Sequence, residues 1–206
     1  MFDIHPNFQT KVKEFIVHFR KKLPEYDQLM TDNVIFRNRT EGIGILTKED
    51  AISYGVTGPT GRASGWSNDI RKKNPYSAYD RVNFTEIIYA EGDSFARYKA
   101  RIQEMWESMH IIEQLIDNIP QGEYKEPTKA VIKLPQTEIY QSVETARGEL
   151  GVYINSDGKK NPYRVKFRSP GFSNLNALNT MAKGGKIADL VTIMSTIDLV
   201  IPDIDR

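Results

Sequence analysis

The 206-residue sequence contains no cysteine. Disulfides, thiol nucleophiles, zinc fingers and cysteine-ligated iron–sulfur clusters are therefore excluded for the residues of this chain. Histidine is also scarce, and the three present, His5, His18 and His110, lie far apart with no carboxylate or second histidine at metal-ligand spacing. We therefore expect no metal site and no cofactor held by the chain itself.

An excess of charge of one sign is lacking as well. The 28 basic and 27 acidic residues give a net charge of +1, so the electrostatic signature of a nucleic-acid-binding protein is absent. The longest apolar run, near residues 190–201, is interrupted by polar residues and is shorter than the ~20 residues of a membrane span. We also predict no signal peptide before the first helix. We expect a protein that is cytosolic or peripheral to a membrane and has no nucleic-acid partner.

The first amphipathic pattern predicts a helix that ends near Pro24. Its apolar stripe consists of Val12, Phe15, Ile16, Phe19 and Leu23. The opposite face is basic and could meet anionic lipid or an acidic partner. The ordinary solvated face of a packed helix explains the same pattern and is the interpretation we favour.

The longest pattern predicts a helix capped by Asp93 or Ser94 and ending at residues 118–120. Apolar residues recur every three or four positions, which favours packing inside a helical bundle. These are Tyr98, Ile102, Met105, Met109, Ile112, Ile116 and Ile119. Three prolines between residues 120 and 145 then predict a long loop or arm.

Residues 146–170 have the pattern of a β-hairpin. Val152, Ile154, Val165 and Phe167 alternate with other residues on either side of a turn at residues 156–158. Two further helices, the first of them capped by Ser173, and a buried apolar tail are predicted for residues 171–206. The sequence thus predicts a predominantly helical α+β fold with a helical body (1–120), an arm (121–145), a hairpin (146–170) and C-terminal helices (171–206).

Residues 55–65 are rich in glycine and predict an irregular loop, either purely structural or able to bring its backbone close to a partner or ligand. Their glycine spacing matches neither dinucleotide-binding nor P-loop signatures, and Ser64 is one position too late for a nucleophile elbow. Asp198 follows an apolar helical stripe, where burial and the helix dipole disfavour the charged carboxylate. An exposed, helix-ending aspartate fits the same position and is the simpler interpretation.

Particular motifs resemble those of one family, the D subunit of respiratory complex I, the proton-pumping NADH:quinone oxidoreductase. The resemblance covers essentially the whole chain in the family's order and spacing. It rests on Ile35-Phe-Arg-Asn-Arg-Thr40, Gly61-Arg-Ala-Ser-Gly65, Asp69-Ile-Arg-Lys72, Arg147-Gly-Glu149, Gly151-Val-Tyr153, Ser156-Asp-Gly158, Pro162-Tyr-Arg164, Pro170-Gly-Phe172 and Asp205-Arg206.

The resemblance implies a fold like the nickel–iron hydrogenase large subunit, without its metal-binding cysteines. It also implies packing against the subunit that carries the terminal iron–sulfur cluster and against the C subunit, at the cytoplasmic side of the inner membrane. Asp198, Val200, Arg206 and Arg147 match positions near the quinone pocket. Quinone, NAD and iron–sulfur clusters would belong to the assembled complex.

The glycine-rich segment would dock onto partners through Arg62, Ser64, Gly65, Asp69 and Arg71. The chain resembles the C-terminal half of the family's subunit, so we expect it to be inactive alone. The alternative is a hydrogenase-like scaffold or assembly module that makes no contact with quinone.

Overall fold

The structure, a computed structural model, describes residues 3–123, 125–127 and 131–205. The helices are α1 (Phe8–Tyr26), α2 (Val34–Asn38), α3 (Lys48–Ser53), α4 (Gly58–Arg62), α5 (Ile70–Lys73), α6 (Ser94–Leu115), α7 (Pro170–Asn176), α8 (Leu178–Ala182), α9 (Ile187–Thr196) and α10 (Ile201–Ile204), with a π-helical turn at Asp27–Thr31 and a 3₁₀ turn at Tyr79–Arg81. Strands β1 (Thr137–Thr145), β2 (Gly148–Ser156) and β3 (Arg164–Arg168) form an antiparallel sheet in that order. The predicted α+β class is confirmed.

Helix α6 is the longest element described and contacts α1, α4 and α9. Asp93 caps it as predicted, because its Oδ1 accepts a hydrogen bond from the Ala96 amide at 2.7 Å. Ala96 and Ala100 are fully buried, and their small side chains allow neighbouring helices to approach closely. The helix ends at Leu115, slightly before the predicted boundary.

Helix α1 packs along α6 through its apolar stripe. Ile16 and Leu23 form a buried cluster with Met109 of α6. Two residues of the basic face, Lys13 and Arg20, form ion pairs with Asp117 and Glu113 at or beyond the C-terminal end of α6. Part of the basic face therefore anchors α1 to acidic residues of the same chain.

A second core lies between the glycine-rich segment and the C-terminal helices. Its buried members are Leu46, Ala51, Val56, Ala177, Met181, Ile193 and Ile197. Residues 46–56 and 177–197 are distant in sequence, so this core fixes the C-terminal helices against α3 and the residues on either side of it. The end of α9 is thereby placed beside α6.

The predicted hairpin is confirmed, with Val152 opposite Phe167 and Ile154 opposite Val165. The predicted arm needs correction, because residues 137–145 form strand β1 and pair with all of β2. The prolines at positions 120, 127 and 135 all precede this strand. The prolines indicated a loop, but residues 137–145 contain no proline, so the loop was predicted to end too late.

Three further expectations were wrong. Residues 58–62 of the glycine-rich loop form helix α4, with Pro59 in its first turn, where a proline needs no amide donor. Helix α7 is capped by Ser169 and not by Ser173. The apolar tail is not fully buried: Ile201 is 64% exposed, and Asp203 of α10 accepts hydrogen bonds from the Ser169 hydroxyl and the Gly171 amide.

Candidate functional site

The tight turn between β1 and β2 carries Arg147. Thr145 closes the turn: its hydroxyl donates to the Gly148 carbonyl at 2.8 Å and accepts from the Arg147 amide at 3.3 Å. Gly148 has a φ of 131°, which favours glycine at this position. The sequence Thr-Ala-Arg-Gly therefore projects the Arg147 side chain from the end of the hairpin.

The turn lies directly against the start of α4. A Cβ atom on Gly58 would lie 2.5 Å from both the Arg147 carbonyl oxygen and the Gly148 Cα, so only glycine fits there. Buried Asn174 of α7 joins the two segments, since its Oδ1 accepts from the Thr57 amide at 3.0 Å and its Nδ2 donates to the Arg147 carbonyl at 3.3 Å. Two non-adjacent elements thus fix the backbone of Arg147.

Arg147 reaches the turn that follows α9. Its Nε lies 3.1 Å from Asp198 Oδ2 and 3.3 Å from the Asp198 carbonyl oxygen. Both side chains are partly exposed, at 37% and 38%. The structure thus brings together two of the residues that the sequence placed near a pocket, and Asp198 is paired rather than buried in an apolar environment.

Asp198 has an unusual backbone conformation. Its φ is 56°, in the left-handed region that glycine normally occupies at a helix C-terminus. The amide of Asp198 donates to Ser195 O and that of Leu199 to Met194 O, the two hydrogen bonds of a Schellman motif. A side chain other than glycine at this position is strained, which is common at functional sites.

Val200 follows two residues later, half-buried, as the residue that precedes α10. Arg206, the fourth residue predicted near the pocket, lies outside the described residues. Asp198 and Leu199 line a shallow hollow of about 360 Å³ together with Val191, Met194 and Ser195. This outer hollow is mostly apolar and open to solvent.

A second cavity of about 460 Å³, the inner cavity, also contacts Asp198, and its lining includes six charged residues although its exposed surface is mostly apolar. It is lined by Arg62, Arg71, Arg101, Glu104, Met105, Ser108, Glu144, Thr145, Ala146 and Asp198. Asp198 therefore lines both the outer hollow and the inner cavity.

Arg62 organises one wall of the inner cavity. Its side chain is 1% exposed and lies 2.7 Å from Glu104 Oε1 and 2.7 Å from Glu144 Oε1. Although burial opposes charge, the two carboxylates raise the pKa of Arg62 above its usual value. Burial outweighs the charge of Arg62 at Glu144, so the pKa of that carboxyl is raised.

Asp69 and Arg71 form a second buried pair, with Arg71 Nη2 2.6 Å from Asp69 Oδ2. Burial alone would raise the pKa of Asp69, but the hydrogen bonds and charge of Arg71 hold it below the ordinary value. Ser64 is also buried, while Gly65 is half-buried. The side chains of Arg62, Ser64 and Asp69 therefore lie in the interior. Docking of this segment onto a partner stays a prediction, and only its exposed atoms could make the contact.

Two more arginines, which we did not select from the sequence, lie one turn apart on α6. Fully buried Arg97 donates to the carbonyls of Gly92 and Gly44, both at 2.9 Å, and burial, with the charge of Arg101, lowers its pKa to about 9. Its guanidinium is thus charged at neutral pH. The repeated Ala-Arg at 96–97 and 100–101 was a usable signal, since each arginine follows a core alanine.

Arg101 faces the inner cavity. Its Nη1 donates to the Arg97 carbonyl at 2.8 Å, whereas its buried Nη2 has no hydrogen-bond partner among the described residues. Burial lowers the pKa of Arg101, although Asp198 and Glu104 oppose this effect.

Within the described part of the chain, no group of three or more histidine or acidic residues is arranged to hold a metal ion. None of the helices described there combines the length and hydropathy required to cross a bilayer.

Fold and site together define a helical α+β scaffold in which a hairpin turn and a helix C-terminus meet above a buried arginine–carboxylate network. The family described as "Respiratory-chain NADH dehydrogenase, 49 Kd subunit" matches residues 1–135 and 126–206. The chain belongs to this family, which confirms the resemblance seen in the sequence.

Relatives agree with this assignment. The chain is 54% identical over 204 residues to the C/D subunit of the NADH-quinone oxidoreductase of Phocaeicola vulgatus, covering 99% of this chain and 39% of that protein. It is 44% identical over 205 residues to the D subunit of the NADH-quinone oxidoreductase of Desulfotalea psychrophila, covering 99% of this chain and 55% of that protein.

A solved structure is also similar. It is a chain of the membrane-bound sulfane sulfur reductase, an archaeal respiratory membrane complex, with 35% identity and a TM-score of 0.94 over 100% of this chain and 57% of that one. The chain thus spans between about two fifths and three fifths of the length of these proteins.

Proposed function

We propose that the chain forms one wall of the quinone-reduction pocket of a proton-pumping NADH:quinone oxidoreductase. The observation that supports this most is the position of Asp198, held by Arg147 at the edge of an apolar hollow. Quinones carry polar oxygens on an apolar ring, and binding sites for such molecules combine an apolar surface with a few placed polar groups. Family membership and the names of the relatives support the same assignment.

Each site residue has a defined task in this proposal. Asp198 adjusts protonation beside the bound quinone, and Arg147 orients its carboxylate. Val200 supplies apolar surface, and Arg206 anchors the chain terminus by ion pairing. None of these residues transfers electrons, so the chain is inactive by itself.

Electrons reach quinone from the terminal iron–sulfur cluster, which a neighbouring subunit holds. This chain has no cysteine to ligate a cluster. NAD and the remaining clusters likewise belong to other subunits. The partners are the cluster-bearing subunit, the C subunit and quinone, and the complex places the chain peripherally at the cytoplasmic side of the inner membrane.

Replacing Val200 by phenylalanine in the complete complex tests the pocket wall. A larger side chain beside bound quinone is expected to shift the half-inhibitory concentration of quinone-site inhibitors about tenfold, because overpacking costs about 1–3 kcal/mol. The matched control is Val34→Phe, at a valine that is 69% exposed on α2.

Unchanged inhibition curves together with an unchanged KM for quinone would contradict the pocket wall. That outcome would favour the alternative, a scaffold or assembly module. The exposed Ile201 and the half-buried Val200 support the pocket over the scaffold, since a closed and remote tail is what the scaffold requires.

A further inference from the structure

Strand β3 is an edge of the sheet that the rest of the described chain leaves uncovered. The strand order is β1-β2-β3, so β3 pairs with β2 on one side and has no strand partner on the other among the described residues. Residues 164–167 are all exposed, although a strand of an antiparallel sheet normally packs one face against a core. The outer backbone amides and carbonyls of β3 are therefore open to a further strand.

Basic and apolar side chains alternate along β3. Arg164, Lys166 and Arg168 point to one face of the sheet, whereas Val165 and Phe167 point to the other. Such alternation is typical of a strand with one buried face. Here the apolar residues are 42% and 51% exposed, so the pattern indicates a surface that is covered only when a partner is present.

The apolar face extends across the other two strands. Val165 stands opposite Ile154, which stands opposite Ile139, itself 49% exposed. Phe167 stands opposite Val152 in the next row. Aromatic and β-branched side chains in such rows stabilise a sheet by cross-strand contact. A strand added beyond β3 would extend both rows with its own apolar side chains.

A groove of about 800 Å³ follows the free edge of β3. Residues 165–168 all line it, together with Phe172 and Ser173 of α7 and Asp203 and Ile204 of α10. Because consecutive residues of a strand point to opposite faces, a cavity that contacts all four lies beside the edge of the strand. Its volume is within the ~300–1,000 Å³ of ligand-binding clefts, so it has room for side chains of an extended segment.

The charge of this edge selects the partner. Lys160, Arg164 and Lys166 form no ion pair with any described residue, whereas Arg168 is paired with Glu149. Lysines on an edge strand ordinarily repel other strands. Here the unpaired cations repel a second copy of the same edge, but they attract a strand that carries carboxylates. An anionic membrane would also attract them, but a lipid surface can neither pair with the backbone of β3 nor fill the groove.

We propose that the edge of β3 is a docking site for an extended segment of a neighbouring subunit, which adds to the sheet as a fourth strand. The acidic side chains of this segment pair with Arg164 and Lys166. Its apolar side chains alternate with them and pack beside Val165 and Phe167 and into the groove. The inference rests on the proposed membership of a multi-subunit complex but not on the quinone pocket.

Photochemical cross-linking from the edge tests the partner. In the complete complex, p-benzoylphenylalanine replaces Phe167, and the adducts formed on irradiation are mapped by mass spectrometry. We expect adducts in one segment of a neighbouring subunit that has alternating acidic and apolar residues. The matched control is the same replacement at Phe15 of α1, which is 53% exposed against 51% for Phe167, and it is expected to give no adduct to that segment.

Four results at Phe167 overturn the proposal: no adduct, an adduct to lipid, an adduct to a second copy of the chain, or an adduct to a segment without acidic residues. If the chain does not co-purify with the complex, the proposed membership fails and this proposal fails with it. An intact complex without the expected adduct overturns this proposal alone, so the two failures are distinguishable.

Charge reversal tests the complementarity. We expect Arg164→Glu with Lys166→Glu to lower the yield of the adduct from position 167 about tenfold or more, because each change replaces an attraction across the strand pair by a repulsion. The neutral pair Arg164→Gln with Lys166→Gln should give an intermediate yield. The control is Lys11→Glu with Lys21→Glu, at two exposed lysines of α1, which should leave the yield unchanged. Equal yields in all four complexes contradict the acidic partner.

Hydrogen exchange distinguishes a fourth strand from side-chain contact alone. Alternate amides of an edge strand point away from the sheet and exchange readily until a neighbouring strand accepts their hydrogen bonds. Residues 164–168 should therefore exchange about tenfold more slowly in the unmodified complex than in the complex with Arg164→Glu and Lys166→Glu. The peptide that covers α1 should exchange equally in both. Equal exchange of residues 164–168 in the two complexes overturns the fourth strand.

Discussion

Arg147 and Asp198, 51 residues apart, meet with Arg147 Nε 3.1 Å from Asp198 Oδ2 and 3.3 Å from the Asp198 carbonyl oxygen. One residue lies at the end of a hairpin and the other at the end of a helix. Holding them together requires both backbones to be fixed, by Asn174 on one side and by the helix-terminating turn on the other. Substitutions can remove each of these supports separately.

Replacement of Asn174 by alanine should destabilise the chain by about 1–3 kcal/mol, because the buried Thr57 amide and Arg147 carbonyl lose their partner. Asn174→Asp should be at least as damaging, since it removes the donor to the Arg147 carbonyl. Urea unfolding measures both, and Asn179→Ala at an exposed position of α8 is the control. Equal stability of all three variants would refute the bridging role.

Gly58→Ala should be more destabilising than Gly55→Ala. Both glycines have a similar positive φ, 67° and 65°, so the conformational cost of alanine is about the same. Only at Gly58 does the new Cβ meet backbone, at 2.5 Å, which should add about 1–3 kcal/mol of overpacking. Equal midpoints in thermal unfolding would show that the hairpin turn does not lie against α4.

Two variants of Asp198 distinguish the cost of its left-handed backbone conformation from the effect of its ion pair with Arg147. Asp198→Gly and Asp198→Ala both remove the ion pair, but glycine adopts the φ of 56° without strain. The glycine variant should therefore be about 1 kcal/mol more stable than the alanine variant. An alanine variant as stable as the glycine variant in chemical unfolding would argue against the left-handed conformation.

Stability at low pH should depend on Asp69. Its pKa is lower in the folded chain than the ordinary value of 3.8, so its contribution is complete above that pH and is lost as the pH falls through the lower folded pKa. Asp69→Asn keeps the acceptor for the Arg71 amide but should flatten the decline in unfolding free energy below about pH 4. Asp80→Asn, at a side chain that is 65% exposed, should leave the decline unchanged. Parallel pH curves for Asp69→Asn and the unmodified chain would refute this assignment.

Local sequence patterns correctly predicted those helices and strands that are determined by residues close together in the sequence. The alternation of Val152 to Phe167 indicated the hairpin, and Asp93 indicated the start of α6. The contact between Arg147 and Asp198 depends on the packing of a second core, which no local pattern encodes. Family resemblance placed both residues near one pocket.

Buried charge was the main feature that the sequence concealed. Arginine is ordinarily exposed, and neither Arg97 nor Arg101 was among the residues selected from the sequence. The burial of Arg97 is possible because the carbonyls of Gly44 and Gly92, both in loop backbone, accept hydrogen bonds from its guanidinium. Helix α4 was not predicted, because its glycines indicated irregular structure. In the fold, Gly58 instead allows close packing against the hairpin turn.

The most direct test of the quinone pocket is light-activated cross-linking of a photoreactive quinone analogue to the complete complex, followed by peptide mapping. We predict adducts on this chain within residues 191–200, suppressed by excess unlabelled quinone. Adducts confined to other subunits, or adducts here that excess quinone does not suppress, would contradict the placement of Asp198 and Val200 at the quinone.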